Sequence, residues 1–374
     1  MVWTCRALAL GLVLTGCVRA HDVDAPDRPP DRLPSDFFGA FGPECVAMAE
    51  AQVDGLPADL ACAGLYKDVE DKVLAAGVRE FTPAVPLWSD ASDKKRWIYL
   101  PPGQRIDNSD QNNWTFPIGT KFFKEFAFDG KRIETRFYLK TRDDRWRRTT
   151  YEWNEDETEA LRAPGVGRER PDVDIGEGKH YRIPGGTECD LCHDGREDSV
   201  LGFELISLAQ EGAEGMALED ILEDDLLTEE PVREEIEIGN EDNPYEREAL
   251  AWLHINCGVS CHNDNQNSEA YHTGLRLKLD AEELDGRSSK GFTILRSTVN
   301  VAAVTPQWNN QVRIVPGNPE MSLLYQLISV RKTGKNQQMP PIGTRIVPKE
   351  EIELIANWIR SMDPAQVGSG GGPD

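Results

Sequence analysis

The sequence predicts an α+β fold: an N-terminal antiparallel β domain at residues 36–180, a connecting segment at 181–243, and a mainly α-helical domain at 244–363. Three observations predict it. Over 81–151, aromatic and β-branched residues gather in short runs separated by turn residues, the signature of paired strands. From Asn243 onward, apolar residues recur at helical spacing instead. A chain of 374 residues with 39% hydrophobic content is also long for one core and rich enough to fill two.

The first 16 residues carry one positive charge, Arg6, and then an apolar run at 7–14. That run is shorter than the ~18 residues of a spanning helix and has the form of an export signal. It stops at Leu14-Thr15-Gly16-Cys17, which resembles the lipobox of bacterial lipoproteins. The resemblance implies cleavage before Cys17 and acylation of that residue. The protein would then be exported and lipid-anchored at the cell envelope, at the outer membrane facing the periplasm or the cell surface. An ordinary signal cut after Val18-Arg19-Ala20 is the alternative. Residues 17–35, rich in Asp and Pro, read as a flexible tether. With Cys5 in the signal and Cys17 acylated, Cys45 and Cys62 are the two cysteines outside the clusters described below. In an exported chain their spacing points to a structural disulfide.

Inside the β domain, short helices are expected at 47–52 and 69–76. Strands are expected at 95–100, 114–116, 121–128, 132–141 and 146–153, six or more in all once the flanks are counted. Asp129-Gly130 between two of them is a two-residue hairpin turn, because both positions tolerate positive φ. Trp88, Trp97, Trp114, Trp146 and Trp153 read as core and rim of this sheet, since no paired carboxylates accompany them as a sugar site would require.

Two clusters carry chemistry: Cys189-Asp190-Leu191-Cys192-His193 and Cys257-Gly258-Val259-Ser260-Cys261-His262. Two thiols close enough to add to the two vinyl groups of one porphyrin, followed by an imidazole, form the pattern that holds a covalent haem. Cys189 and Cys192 would tether one haem with His193 on its iron; Cys257 and Cys261 would tether a second with His262. The alternative is a small disulfide or a zinc site, but a disulfide needs no histidine, and the other four histidines are scattered.

Net charge is −24, which argues against a nucleic-acid partner. Most of the imbalance lies between the clusters: from Asp194 to Ala249 there are 20 Asp and Glu against three Arg, a net of −17 in 56 residues. That stretch reads as a solvated, partly flexible connector or as a docking face for a basic redox partner.

In the last third, Pro244 opens a helix through Ala249, Leu250 and Leu253 that leads into the second cluster, with His254 one turn before Cys257. A second helix is expected at 319–329, capped by Asn318 and Pro319. The last, at 349–362, aligns Ile352, Ile355, Trp358 and Ile359 on one face. Residues 364–374 form a disordered tail. Met339 stands in Gln337-Gln338-Met339-Pro340-Pro341, a stiff loop ten residues before the last helix. It is the candidate opposite His262, because methionine on the iron raises the reduction potential as an electron carrier needs. Met321 and Met362 sit at helical spacings and read as core.

The second cluster, Pro316-Gly317-Asn318-Pro319-Glu320, Ser322-Leu323-Leu324-Tyr325, Met339-Pro340-Pro341 and the terminal Trp358-Ile359 helix together resemble a class I cytochrome c domain. With Leu87-Trp88-Ser89-Asp90, Phe116-Pro117-Ile118-Gly119-Thr120, Glu134-Thr135-Arg136 and Leu253-His254-Ile255-Asn256-Cys257, the ordered chain resembles a bacterial family of two-haem c-type cytochrome proteins. That family usually has two residues between the second pair of cysteines, where this chain has three. The resemblance implies two covalent haems and one-electron transfer with redox partner proteins, basic ones or a dehydrogenase, the membrane being met through the lipid anchor alone. For the sixth position on the first iron, Met216, His180, His254, His272 or an open site are the candidates. The alternatives are a dihaem peroxidase-like enzyme and an envelope binding protein with an accessory cytochrome domain.

Overall fold

A computed structural model describes residues 37–239, 243–284, 289–332 and 337–364. The expected signal at 1–16, the acylation site Cys17, the tether at 17–35 and the tail beyond 364 lie outside these residues.

Helix α1 (Pro43–Glu50) begins at a proline, where the missing N–H costs nothing. Its Cys45 is disulfide-bonded to Cys62 in the short helical turn Leu60–Cys62, with Cα atoms 5.2 Å apart. The expected helix at 69–76 is instead a hairpin of β1 (Tyr66–Asp68) and β2 (Val73–Leu74). The Asp68 carboxylate accepts the N–H groups of Glu70 and Asp71, both at 3.0 Å, and Lys72 sits at φ 57, so a turn wins over helix.

The main sheet comprises β3 (Val78–Thr82), β4 (Asp93–Tyr99), β5 (Lys121–Phe128), β6 (Lys131–Arg142), β7 (Arg145–Trp153) and β8 (Ala160–Arg162). A separate hairpin follows, β9 (Arg168–Gly176) with β10 (Lys179–Ile183). Next come α2 (Gly186–His193), α3 (Leu205–Leu208), β11 (Glu214–Gly215) and α4 (Leu218–Glu223). The seven-stranded sheet runs β11-β3-β4-β5-β6-β7-β8, antiparallel throughout. Asp129 and Gly130, at φ 49 and 75, close the β5–β6 hairpin. Residues 114–116 are not a strand: only Thr115 pairs, with Asp107, while Trp114 is buried.

Successive strand residues point to opposite faces. On one face Trp97, Phe123, Phe137 and Tyr151 meet Phe38, Leu60 and Leu65 of the N-terminal segment. On the other, Ile98, Phe122 and Tyr138 meet Phe81, Phe116 and Phe203.

The remaining helices are α5 (Glu246–Leu253), α6 (Thr293–Thr298), α7 (Leu323–Ile328) and α8 (Lys349–Ser361). The expected α+β fold with a mainly helical, cytochrome c-like C-terminal domain is not formed. The protein is β-rich, dominated by the seven-stranded sheet, and no described helix exceeds the 13 residues of α8. Between α5 and α8 the chain is largely turns and irregular backbone. Prolines at 306, 316, 319, 340, 341 and 348 withhold N–H donors there, and the helix expected at 319–329 breaks at Ser322, whose backbone is extended at φ −88, ψ 118.

The acidic stretch is not a solvated connector. Its Phe203, Leu205, Leu208, Leu218 and Ile221 are buried in the same core cluster as Ile98 and Phe122 of the sheet and Trp252 and Trp358 of α5 and α8. Many of its acids, Glu211, Glu223, Asp225 and Glu230 among them, face outward, while Asp198, Glu204 and Glu246 are buried.

Candidate functional site

Helix α2 lies on the Tyr138 face of the sheet. Arg148 of β7 pairs with Asp190 and, at 3.1 Å, with Asp194, and Arg182 of β10 pairs with Glu188 at 3.0 Å. The Glu188 carboxylate also accepts the Gly185 N–H at 2.7 Å, closing the first turn. Cys189 and Cys192 are free, half-buried thiols on this helix. The His193 ring stands 4.7 Å from that of Tyr138, and its Nδ1 is 2.6 Å from the Ser199 carbonyl. A carbonyl only accepts, so Nδ1 carries the proton and Nε2 keeps its lone pair for a ligand. Burial pushes the His193 pKa down to about 3, which keeps the ring neutral and able to bind metal.

Cys189, Cys192 and His193 open on a cavity of about 370 Å³. Phe122 and Tyr138 form its sheet side, Trp88 and Ile255 flank it, and the 342–345 loop that follows Met339 completes the wall. Arg96, Lys124 and Arg136 also reach it. Four polar atoms of residues on this wall, Trp88 Nε1, Arg96 Nη2 and the Tyr138 and Thr344 hydroxyls, are buried without a hydrogen-bond partner. Buried polar groups are nearly always paired, so four orphans around one cavity mark it as a site for a polar ligand. A flat apolar ring with vinyl groups at one edge and propionates at the other needs thiols, an imidazole, apolar walls and cations. The residues present fit that group.

The second cluster is built on a different turn. After α5 the backbone widens: Val259 N–H donates to His254 C=O and His262 N–H to Cys257 C=O, both at 2.8 Å and both spanning five residues. In α2 one ordinary helical turn joins the first cysteine to the histidine. The π-type turn therefore absorbs the third residue between Cys257 and Cys261. Gly258 permits it, since a Cβ there would collide with the Leu277–Lys278 backbone. His262 is buried, and burial, helped by Arg313 and Arg276, pushes its pKa down to about 4, with the Leu275 carbonyl opposing. Met339 is anchored by its N–H to Leu327 C=O at 2.9 Å and packs against the core cluster that Cys257 also touches. Arg331 donates to the Met339 carbonyl at 3.2 Å and is close enough to Cys257 to act on its thiol, which burial pushes up to about 12.

The two clusters abut. A Cβ at Gly195, two residues after His193, would collide with the Ser260 carbonyl. Asn263 donates to the carbonyls of Gly195, Gly258 and Val259 at 3.1, 3.0 and 3.1 Å. The Cys192 and Cys261 side chains act on each other, which raises the Cys192 pKa and lowers that of Cys261. Trp88 N–H donates to the Asn256 side chain at 2.7 Å, tying the first cavity's wall to the residue before Cys257. Among the described residues, no three or more His, Cys, Asp or Glu side chains converge as a metal cluster. A bare zinc ion needs about four such ligands, whereas a haem iron asks the protein for axial groups only.

The four candidates for a sixth ligand at the first cluster do not line its cavity. His254 has both ring nitrogens engaged: Nδ1 accepts the Leu279 N–H at 2.9 Å, and Nε2–H donates to Glu204 at 2.9 Å. Met216 is buried beside β3, and His180 and His272 are exposed. Sequence reasoning missed Arg96, Lys124, Gly195 and Asn263. The available signal was Arg96 and Lys124 at the same strand parity as the core residues Ile98 and Phe122.

No protein-family model matches the chain, and neither a curated protein nor a solved structure matches it. A functional reading therefore rests on the residues themselves.

Proposed function

We propose that this chain is an extracytoplasmic dihaem c-type cytochrome that carries single electrons at the cell envelope, anchored through acylated Cys17. One observation carries the reading: two Cys-Cys-His clusters, one histidine half-buried and one buried and both held neutral, fold against one another. Cys189 and Cys192, and Cys257 and Cys261, would each add S–H across a vinyl double bond, forming one S–C and one C–H bond with no net oxidation. A bound haem supplies iron that cycles by one electron. His193 would hold the first iron through Nε2, its tautomer fixed by the Ser199 carbonyl, and His262 and Met339 would hold the second. The close approach of the two clusters, Gly195 against Ser260 and Asn263 bonded to the Gly195 carbonyl, supports direct passage between the two centres.

The outward-facing acids of 194–239 support docking of a basic partner, an association that weakens with salt. Spectroelectrochemical titration of protein matured with a c-type haem system tests the reading. Two one-electron waves are expected; a protein without a redox-active chromophore would overturn it. A second reading, peroxide reduction at the first site with electrons from a partner, is favoured by one observation: His193 is the single histidine, and no methionine stands, among the residues lining that cavity. Sustained peroxide turnover by the matured protein would select it.

A further inference from the structure

The register of β4, β5 and β6 sets Arg96 opposite Lys124, and Lys124 opposite Arg136, on the face that carries the first cavity. Like charges directly opposite one another destabilise a sheet, and removing them from water adds to the cost. One of the three is compensated: Arg136 pairs with Glu134 at 2.7 Å, a carboxylate that also accepts from the Tyr181 hydroxyl. Arg96 is 6% exposed, with Nη2 unpartnered, and neither it nor Lys124 has an ion-pair partner among the described residues. Burial pulls Arg96 down to about 10 and Lys124 well below the usual lysine range. The row also has a direction. Arg136 is near enough to Cys189 for the two to act on each other electrostatically, and strands about 4.8 Å apart put Arg96 roughly 10 Å further along. Thiols lie at one end of the cavity wall and unpaired cations at the other.

We infer that Arg96 and Lys124 bind a pair of carboxylates, the two propionates of the haem tethered by Cys189 and Cys192. The inference rests on the reading of the clusters as haem-attachment sites. A haem held by its vinyl edge at the thiols presents its propionate edge away from them, toward the uncompensated end of the row. Arg96 and Lys124 then act as positioning residues and as fixed positive charge beside the iron, which favours the reduced state because reduction removes one positive charge. The Trp88 indole, orphaned on the same wall, is a further donor.

The test uses the matured full-length protein with Arg96→Gln, Lys124→Gln and the double variant, reading haem content by intact mass and both midpoint potentials at fixed pH and ionic strength. The expected result is two haems in every protein, with one potential shifted negative by each variant, furthest by the double, and the other unmoved. Arg96→Lys should restore most of the shift, which separates lost charge from damaged packing. Two haems with both potentials unmoved in the double variant would overturn the inference alone. A parent protein without haem would overturn the underlying reading. If inorganic phosphate moves the parent's potential but not that of the double variant, the row binds a free anion and the propionate assignment falls.

Discussion

The first cysteine-histidine cluster is carried by an eight-residue helix braced on a sheet by arginine pairs and opens on a cavity; the second sits on a π-widened turn between two backbones. The first is a preformed pocket walled in part by unpartnered polar atoms. The second is positioned by irregular backbone and a methionine loop. A rigid sheet can hold an unsatisfied site open, because its strands stay paired whether or not a ligand is present. A turn held by close backbone contact must be shaped by glycine and by neighbouring carbonyls. The same three residue types thus reach comparable positions by two routes, and Gly195 and Asn263 join them.

The largest expected effect breaks the tie between the two regions. Glu204 pairs with Arg196, just past His193, and accepts from His254, three residues before Cys257, and all three side chains are buried. Glu204→Gln strands the Arg196 charge and should cost about 3–5 kcal/mol in chemical denaturation. Desolvation would raise the Glu204 pKa, but Arg196 and His254 hold it well below the usual carboxylate range. A depressed carboxylate binds fewer protons folded than unfolded. Its contribution is therefore present above about pH 4.5 and lost as pH falls toward and through the depressed value. Parent and variant stabilities should converge on acidification, which denaturation curves at pH 7 and pH 3 check.

Next, Gly195→Ala forces a methyl group into the Ser260 carbonyl, backbone against backbone, and should cost about 3 kcal/mol. If the clusters are joined as described, haem content falls at both of them. A loss confined to the first would show that the two sites are not joined. Met339→Ala tests the two sites from the other side: the second centre's potential should fall while the first stays put, read in the same titration.

The smallest effect concerns Asp280, beyond the Leu277–Lys278 backbone that faces the second cluster. Burial pushes its pKa up to about 6, with Lys278 opposing and Glu283, Asp264 and Glu282 adding to the rise. A raised carboxylate pKa gives stability that is complete below the unfolded value near 4 and is lost as pH rises through 6. Asp280→Asn should therefore stabilise the protein by about 1 kcal/mol at pH 7, discounted for partial exposure, and give no gain at pH 4. Thermal melts at both values decide.

The strands were legible where alternation and turn chemistry agree. Asp129-Gly130 and the runs on either side of it became β5 and β6, because both signals are local. The segment at 69–76 was misread because one side chain, Asp68, redirects two backbone donors, which periodicity does not register. The helical domain failed for a related reason: apolar spacing suggested helices, while prolines and glycines had already limited their length. At the candidate site, Cys189, Cys192, His193, Cys257, Cys261 and His262 stand in contiguous motifs and can be read directly. The row Arg96, Lys124 and Arg136 cannot, since it exists only once three strands are paired in register. Nor can the contact of Gly195 with Ser260, which joins residues 65 positions apart.

Both clusters are proposed to hold haem in one joined site. The most direct measurement is the intact mass of the chain matured with a c-type haem system, compared with Cys189→Ala/Cys192→Ala and Cys257→Ala/Cys261→Ala variants. Two added haems are expected in the parent and one in each variant. A parent with a single haem, unaffected by loss of Cys257 and Cys261, or a parent with none, would contradict it.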